Sequence, residues 1–452
     1  MSSYNFMIKN MIYPFMDMYF GTKTLKVFND FNKSQWFSRE KIEETQLVEL
    51  RKLLQHAYKN VPYYHKLFNK LDLKPENIRN FDDMNKLPIL TKNDIRDNFN
   101  DLIAVNIRKP DMLTQTTGGS TGKPLKFMRN KWTLSYTRAA IYRNYSWAGM
   151  DYFGDKWLSL WGSSFDMKIY DSMKYKLYFL LMRQKILPTF GMNEEMIKKY
   201  IEIIRKFKPK MIRGYASALY IFAKYMQERG ISDIKPVSVV STAETLSDQQ
   251  KDLIEEAFNC KLFNNYSSRE FAIAQDCEKH EQYHIGAENL LVEFVVKNKT
   301  VPIGKIGKII VTDFRNYAMP FIRYENGDLG KSSDDICECG RELPLMKSIE
   351  GRTCEVLVTK DGGLVPGAFF PHLMKDVLSS IKQYQVVQNK DGSLLIRIVK
   401  SHDYKKEDEQ YLVRNIKKYF GNIDIDFVYV DKLEESLSGK YRPVVSETDI
   451  NL

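Results

Sequence analysis

The chain has 452 residues, 43% of them hydrophobic and 28% charged, with a net charge of +11. That length exceeds one ordinary core and implies two or three domains, and the balance excludes a disordered or fibrous chain. The basic excess suits an anionic ligand, an acidic partner or a membrane surface, without choosing among them.

Met1 to Phe20 is rich in Met, Tyr and Phe, carries Lys9 and Asp17, and lacks a small-residue cleavage site. It does not read as a secretory signal. Packing onto the body is the first expectation and a weak peripheral membrane contact the second. The first hundred residues read mostly as helix, with loops around Val61-Pro62 and Leu87-Pro88. No segment reaches the roughly 18 apolar residues of a membrane span; the densest, Leu177 to Met182, is short and flanked by Lys and Arg.

From Asp155 onward, strands and helices alternate. Trp157 to Trp161 reads as a buried strand. Asn193 to Phe207 has helical spacing, with Ile197, Tyr200, Ile201 and Ile204 on one face. Met211 to Tyr215 is a strand, and Ser217 is placed to cap the helix after it. Val237 to Ser241 is a strand, Ser247-Asp248-Gln249-Gln250 a capping box, and Lys261 to Asn265 another strand. This alternation predicts α/β layers on a largely parallel sheet.

After Ala287 the style changes. Leu290 to Val296 and Lys308 to Phe314 are strands with little helix between them, predicting a β-rich subdomain. A small α+β unit follows Arg352, dividing residues 1–351 from 352–452. In it, Tyr384 to Gln388 and Leu394 to Val399 flank the turn Asn389-Lys390-Asp391-Gly392. A helix from Lys406 to Phe420 and a strand from Ile423 to Val430 complete it. Lys405-Lys406 and Lys417-Lys418 read as solvated helix faces. Five cysteines, odd in number and sparse, argue for a reducing compartment and a cytoplasmic location.

The segment richest in chemistry is Thr116-Thr117-Gly118-Gly119-Ser120-Thr121-Gly122-Lys123-Pro124. Its glycines let backbone N–H groups approach an anion, its hydroxyls add donors, and Lys123 adds a compact positive charge. It is not a Walker A loop. That motif needs four residues between its glycines and a Ser or Thr after the Lys; here three residues separate Gly118 from Gly122, and Pro124 follows Lys123.

The loop resembles the nucleotide-binding signature of the adenylate-forming superfamily of acyl-CoA synthetases, adenylation domains and luciferases. Within it the chain most resembles the phenylacetate–CoA ligase-like branch, including the ligase-like proteins of capsule gene clusters. The resemblance runs through Asn60-Val61-Pro62-Tyr63-Tyr64, the loop, and Gly214 to Leu219. It continues through Tyr266-Ser267-Ser268-Arg269-Glu270-Phe271, Arg323 to Leu329, Ile349-Glu350-Gly351-Arg352 and Ser438-Gly439-Lys440-Tyr441-Arg442.

The resemblance implies ATP-dependent activation of a carboxylic acid as its acyl-adenylate, with release of pyrophosphate. Tyr266 would stack on adenine and Glu270 would hold Mg²⁺, unless Arg269-Glu270 is merely a surface ion pair. Ser241, Ala243 and Glu244, with Asn265, Ser267 and Ser268, would line the nucleotide pocket at strand ends; Glu244 alternatively caps a nearby helix. Asp328, in a Gly-Asp turn, would accept from both ribose hydroxyls. Arg352 would assist at the ribose from the hinge, where Cys354 and Glu355 stand in place of the branch's usual carboxylates. Lys440, on a mobile C-terminal domain, would neutralise charge between the carboxylate and the α-phosphate. The acid pocket would be built from Trp161, Gly162, Ser163 and on to Phe165, with Tyr215 and the surroundings of Asn264.

Cys277-x₂-His280-x₃-His284 and Cys337-x-Cys339 form a candidate zinc set of three thiols and one imidazole. His284 is favoured over His280 because it leads into the next strand. With four protein ligands the site would be closed and structural. The acyl acceptor stays open between coenzyme A and an amine or hydroxyl of a sugar or carrier in surface-polysaccharide synthesis. A non-catalytic nucleotide-binding or nucleic-acid-binding protein is a remoter alternative, and no RNA-recognition signature is present.

Overall fold

The computed structural model describes residues 3–117, 125–161, 172–189, 192, 194–352, 356–360, 364–366, 369–374, 377, 380–433 and 443–448. Two compact units emerge. The first comprises Met1–Glu293, Ile310–Glu325 and Ser333–Lys347; the second comprises Phe294–Ile309, Asn326–Ser332 and Ser348–Leu452.

The first unit opens with helix. α1 (Ser3–Met7), a π-helical turn (Ile8–Ile12) and α2 (Tyr13–Phe20) run on without a break, since Met7 and Ile12 keep right-handed helical backbone at the joints. Gly21 ends the run in the left-handed conformation, as glycine readily does. α3 (Thr24–Ser34) buries Val27, Phe28 and Phe31. α4 (Arg39–Asn60) starts at Ser38, whose hydroxyl accepts the Lys41 N–H, and α5 (Pro62–Lys70) begins on Pro62, whose fixed φ suits a first helical residue. The expected loop at Val61-Pro62 is thus one extended residue between two helices. α6 (Lys92–Asp97) is capped by Thr91.

A hairpin of β1 (Met112–Thr116) and β2 (Lys126–Asn130) follows, then α7 (Thr133–Trp147). The main sheet begins with β3 (Trp157–Leu160), and α8 (Met173–Leu181) leads to β4 (Gln184–Leu187). Next come α9 (Glu194–Phe207), β5 (Met211–Tyr215), α10 (Ala216–Glu228), β6 (Ser238–Thr242), α11 (Asp248–Phe258) and β7 (Lys261–Ser267). β4, β3, β5, β6 and β7 are neighbours in that order and all parallel. β8 (Ala272–Asp276) and β9 (Tyr283–Ile285) extend the sheet antiparallel.

β3, β5, β6 and β7 form where they were expected, on short stretches rich in apolar residues that helices cover, while the half-exposed edge strand β4 was not expected. β6 is buried along its whole length. α9 presents Ile197, Tyr200, Ile201 and Ile204 to the core, and α10 adds Leu219, Phe222, Ala223 and Met226.

Strands β10 (Leu290–Val296), β11 (Lys299–Thr300), β12 (Ile306–Asp313), β13 (Tyr324–Ser333) and β14 (Leu345–Arg352) make the β-rich stretch. In the second unit, β15 (Val356–Val358) and β16 (Leu364–Pro366) pair antiparallel. α12 (Phe369–Met374) comes before β17 (Ile381–Gln388), β18 (Leu394–Lys400), α13 (Lys406–Phe420), β19 (Ile425–Tyr429) and β20 (Val444–Ser446). The sheet order is β19-β18-β17-β20. Ile396, Ile398, Leu412 and Ile416 lie in its core, while Lys405, Lys406, Lys417 and Lys418 face solvent. The fold is α/β, and among the described residues no helix is long and apolar enough to cross a membrane.

Candidate active site and candidate metal centre

Register across the parallel strands brings distant motifs into one row. Leu160 pairs with Gly214, Gly214 with Ser241, and Ser241 with Asn264. One step further on, Tyr215 pairs with Thr242 and Thr242 with Asn265. Trp161, Tyr215, Ser241, Ala243, Asn264 and Asn265 therefore all lie at the carboxyl edge of the sheet, where open α/β sheets bind ligands. Trp161 stacks on Tyr215, with ring centroids 4.4 Å apart and planes at 28°. Gly214 packs tightly, since an added Cβ would come 3.0 Å from Leu219 Cγ and 3.1 Å from Leu160 Cβ, so a larger residue would have to displace these neighbours slightly. The Arg213 guanidinium lies 4.5 Å from the Trp161 ring and donates to the Tyr145 hydroxyl at 2.7 Å. Arg213 escaped the sequence reading, although an Arg within an otherwise apolar strand is a signal of function.

At the end of β6 the backbone turns through Ala243 at φ 68°, a left-handed conformation that alanine seldom takes. Glu244 then reaches back, and its Oε2 accepts the Ser217 N–H at 2.8 Å. Ser217 is therefore not the cap of α10. That helix starts at Ala216 with no capping side chain of its own, and the carboxylate of Glu244 meets its amino end, where backbone donors and the helix dipole favour negative charge. The alternative reading of Glu244 as a cap thus has a contact behind it. The capping box at Ser247 and Gln250 is present with both of its bonds.

Tyr266, Ser267 and Ser268 lead into a tight turn. The Ser268 hydroxyl accepts the N–H groups of Glu270 and Phe271, each at 3.1 Å. The Ser267 hydroxyl lies 3.3 Å from that of Thr242. The turn fixes Glu270, which is buried and so is not half of a surface ion pair. Its Oε1 accepts the Tyr324 hydroxyl at 3.1 Å, and its backbone carbonyl accepts from Arg129. Tyr324 is fully buried and stacked on Phe321 at 4.7 Å. Burial pushes the Asp313 carboxyl upward, and Arg129 beside it opposes that shift. Glu270, Asp313 and Arg315 line one small cavity with Thr133, Tyr136 and Asn289. Tyr324 and Arg129 are residues that sequence reasoning missed as individuals. Tyr324 lay within a quoted motif without a role, and Arg129 offered no signal beyond its buried place in β2.

Thr116 ends β1. The Thr117 hydroxyl accepts the Leu125 N–H at 2.9 Å, and the Thr117 N–H donates to the Leu125 carbonyl at 2.9 Å. These bonds close the base of the loop. Gly118, Gly119, Ser120, Thr121, Gly122 and Lys123 lie outside the described residues, as do Gly162 and Ser163.

In the second unit, Asp328 lies within β13 rather than in a turn. Gly327 at φ 92° supplies the kink that resembled one. Asn326 holds Asp328 from both sides, donating Nδ2 to its Oδ2 at 3.1 Å and accepting its N–H at 3.0 Å. Arg352 is the last residue of β14. Lys440 lies outside the described residues.

Cys277, His284, Cys337 and Cys339 bring one donor atom each within 4.8 Å of one another. The Cys277 and Cys337 sulfurs are 3.6 Å apart, and the Cys339 sulfur is 3.4 Å from His284 Nε2. His280 belongs to another contact, its Nδ1 lying 2.9 Å from Asp276. Burial, with Arg341 and Arg143 nearby, pushes His284 down to about 3, so its ring is neutral, as a metal ligand must be. Burial pushes the Cys277 and Cys337 thiols upward, an environment that supports thiolates only beside a cation. Three sulfurs and one imidazole, closely grouped with Cys339 alone half-buried, fit a structural zinc.

Comparison with known proteins matches residues 357–447 to the CapK C-terminal domain. Protein CapK of Staphylococcus aureus is 28% identical over 88% of this chain and 88% of its own length. A phenylacetate–coenzyme A ligase of Thermus thermophilus is 24% identical over 79% of this chain and 80% of its own. The fold is shared with a 2-hydroxyisobutyryl-CoA ligase crystallised in the postadenylation state, at TM-score 0.72 and 17% identity over 91% of this chain and 90% of that one.

Proposed function

We propose, for a chain that belongs to the phenylacetate–coenzyme A ligase-like branch of the adenylate-forming superfamily, that it is an AMP-forming ligase that activates a carboxylic acid as acyl-AMP and passes the acyl group to coenzyme A. The observation that carries this is the row at the carboxyl edge of the parallel sheet, where Trp161, Tyr215, Ser241, Asn264 and Asn265 stand side by side. Four separate sequence motifs meet there.

In this reading Trp161 and Tyr215 form the wall of the acid pocket, with Arg213 and Asn264 near them, and Gly162 and Ser163 would contribute to it. Ser241, Ala243, Glu244 and Asn265 to Ser268 line the nucleotide, with Tyr266 against adenine. Thr116 to Lys123 cradles the phosphates. A buried carboxylate already held by a tyrosine hydroxyl suits Mg²⁺, so Glu270 would hold the cation, which supplies neutralising charge at the phosphates. Asp328 and Arg352 would take the ribose. Residues 352–452 would form the mobile domain that carries Lys440 to the α-phosphate. Attack of the acid's carboxylate oxygen on the α-phosphorus forms the acyl–phosphate bond and breaks the bond to pyrophosphate; the coenzyme A thiolate then takes the acyl group and AMP leaves. Zinc at Cys277, His284, Cys337 and Cys339 would hold β8, β9 and the 337–339 segment together and take no part in these steps. A cytoplasmic location goes with these substrates.

A second acceptor, an amine or hydroxyl of a sugar or carrier in surface-polysaccharide synthesis, is the alternative that the resemblance to the ligase-like proteins of capsule gene clusters implies. One screen tests both. Pyrophosphate release is measured over a panel of carboxylic acids, then product formation with coenzyme A and with amino sugars. Acid-dependent release with thioester formation supports the proposal; no release with any acid overturns it, and amide or ester without thioester moves it to the second acceptor.

A further inference from the structure

The N-terminal helical run turns an apolar face outward. Ile8 and Tyr13 are buried, but Phe6, Met7, Met11, Phe15, Met18 and Tyr19 are exposed, Met11 by 66% and Met18 by 71%. Met7, Met11, Phe15 and Met18 recur at intervals of four, four and three, which is one stripe of a helix. At 1.5 Å per residue the run from Ser3 to Phe20 is roughly 27 Å long. A helix that meets only water carries charge on such a face. Here the other exposed residues are Ser3, Asn10 and Pro14.

α8 adds a second stripe. Met173, Leu177 and Leu180, at intervals of four and three, are 80%, 57% and 73% exposed. α1 meets the end of α8: the Tyr4 hydroxyl donates to the Leu181 carbonyl at 2.7 Å, and the Arg183 guanidinium lies 3.7 Å from the centre of the Tyr4 ring. So many large apolar side chains in contiguous helices exceed the scattered exposure normal for a protein surface.

The two helical stretches themselves carry mostly basic charge, although Asp111 lies beside Met18 and Tyr19 and Asp151 accepts from Asn5 at 3.3 Å. Residues 1–26 hold Lys9, Lys23 and Lys26 against a single acid, Asp17. Its carboxylate is occupied by the Thr22 hydroxyl at 2.6 Å and the Leu25 N–H at 2.9 Å. Residues 172–187 hold Lys174, Lys176, Arg183 and Lys185 and no acid.

We propose that this face docks on an anionic lipid surface, with α1, α2 and α8 lying in the headgroup plane and the basic residues at its rim. An apolar stripe edged by Lys and Arg is the arrangement that binds such surfaces in plane, and each Lys or Arg near the headgroups adds attraction. A second copy of the chain is the poorer occupant, because a twofold pairing sets the same positive rim against itself.

The test is sedimentation of the full chain with vesicles of phosphatidylcholine alone and of phosphatidylcholine with roughly one third phosphatidylglycerol. Binding is expected on the anionic vesicles, weakened by salt. Met11→Glu/Phe15→Glu should lower it roughly tenfold or more, since two buried apolar groups are lost. Leu177→Glu/Leu180→Glu, on the other helix, gives the same loss and serves if the first variant melts below the parent. No binding to anionic vesicles, or binding that neither variant lowers, overturns the proposal. A dimer in solution without lipid that these variants dissolve overturns it in favour of a second copy.

Discussion

Tyr324→Phe removes one hydroxyl and leaves the ring. The ring contacts with Phe321 at 4.7 Å and Phe271 at 5.9 Å remain, so no cavity term arises. What is lost is a 3.1 Å bond to a carboxylate oxygen of Glu270, with both partners buried. Hydrogen bonds to charged groups are worth about 1.5–3 kcal/mol, which is roughly ten- to a hundredfold in an equilibrium constant. If Glu270 holds the nucleotide's cation, that loss falls on MgATP. The KM for MgATP should rise by roughly tenfold while the KM for the acid changes little. The assay is initial-rate pyrophosphate release with ATP varied at fixed Mg²⁺, and thermal melting establishes that the variant is folded. A folded Tyr324→Phe enzyme with the parent's KM for MgATP would refute the role of this pair.

Lys440→Ala is expected to abolish acyl-AMP formation while ATP binding by calorimetry stays near the parent value; full adenylation by this variant contradicts the assignment of Lys440. Cys339→Ser should drop bound zinc from about one ion per chain toward zero after dialysis, with a lower melting temperature; parent protein that holds no zinc by elemental analysis removes the site. Glu244→Ala should cost about 1 kcal/mol of stability by leaving the amino end of α10 without its carboxylate partner, read by denaturant midpoint, and an unchanged midpoint denies the capping bond.

Four of the five parallel strands, β3, β5, β6 and β7, were legible because they are short and rich in apolar residues and the helices between them repeat every three or four residues; β4, with Gln184 and Lys185, carries no such run. Position 217 illustrates the limit. Ser217 looked like a cap because serine favours that position, but the helix begins one residue earlier and its partner, Glu244, lies 27 residues on. Asn326-Gly327-Asp328 has turn composition, yet a glycine at positive φ lets β13 run through it. The pairing of Tyr324 with Glu270 spans 54 residues, and no local pattern encodes it. The cluster of Cys277, His284, Cys337 and Cys339 was legible as a candidate metal set because thiols and imidazoles are scarce enough to count. The choice of His284 over His280 rested on little more than its place before a strand, and the grouping of donors around His284 supports it. The Met-, Tyr- and Phe-rich composition of the N-terminal run was legible, with packing onto the body as the first expectation; which of its residues meet solvent depends on how Ile8 and Tyr13 pack.

ATP–pyrophosphate exchange in the presence of single carboxylic acids, without coenzyme A, tests adenylation most directly. Label should pass from pyrophosphate into ATP only when a suitable acid is present, and the Lys440→Ala chain should show none. Exchange that proceeds equally without acid, or that fails with every acid of a broad panel, contradicts acid adenylation as the reaction of this site.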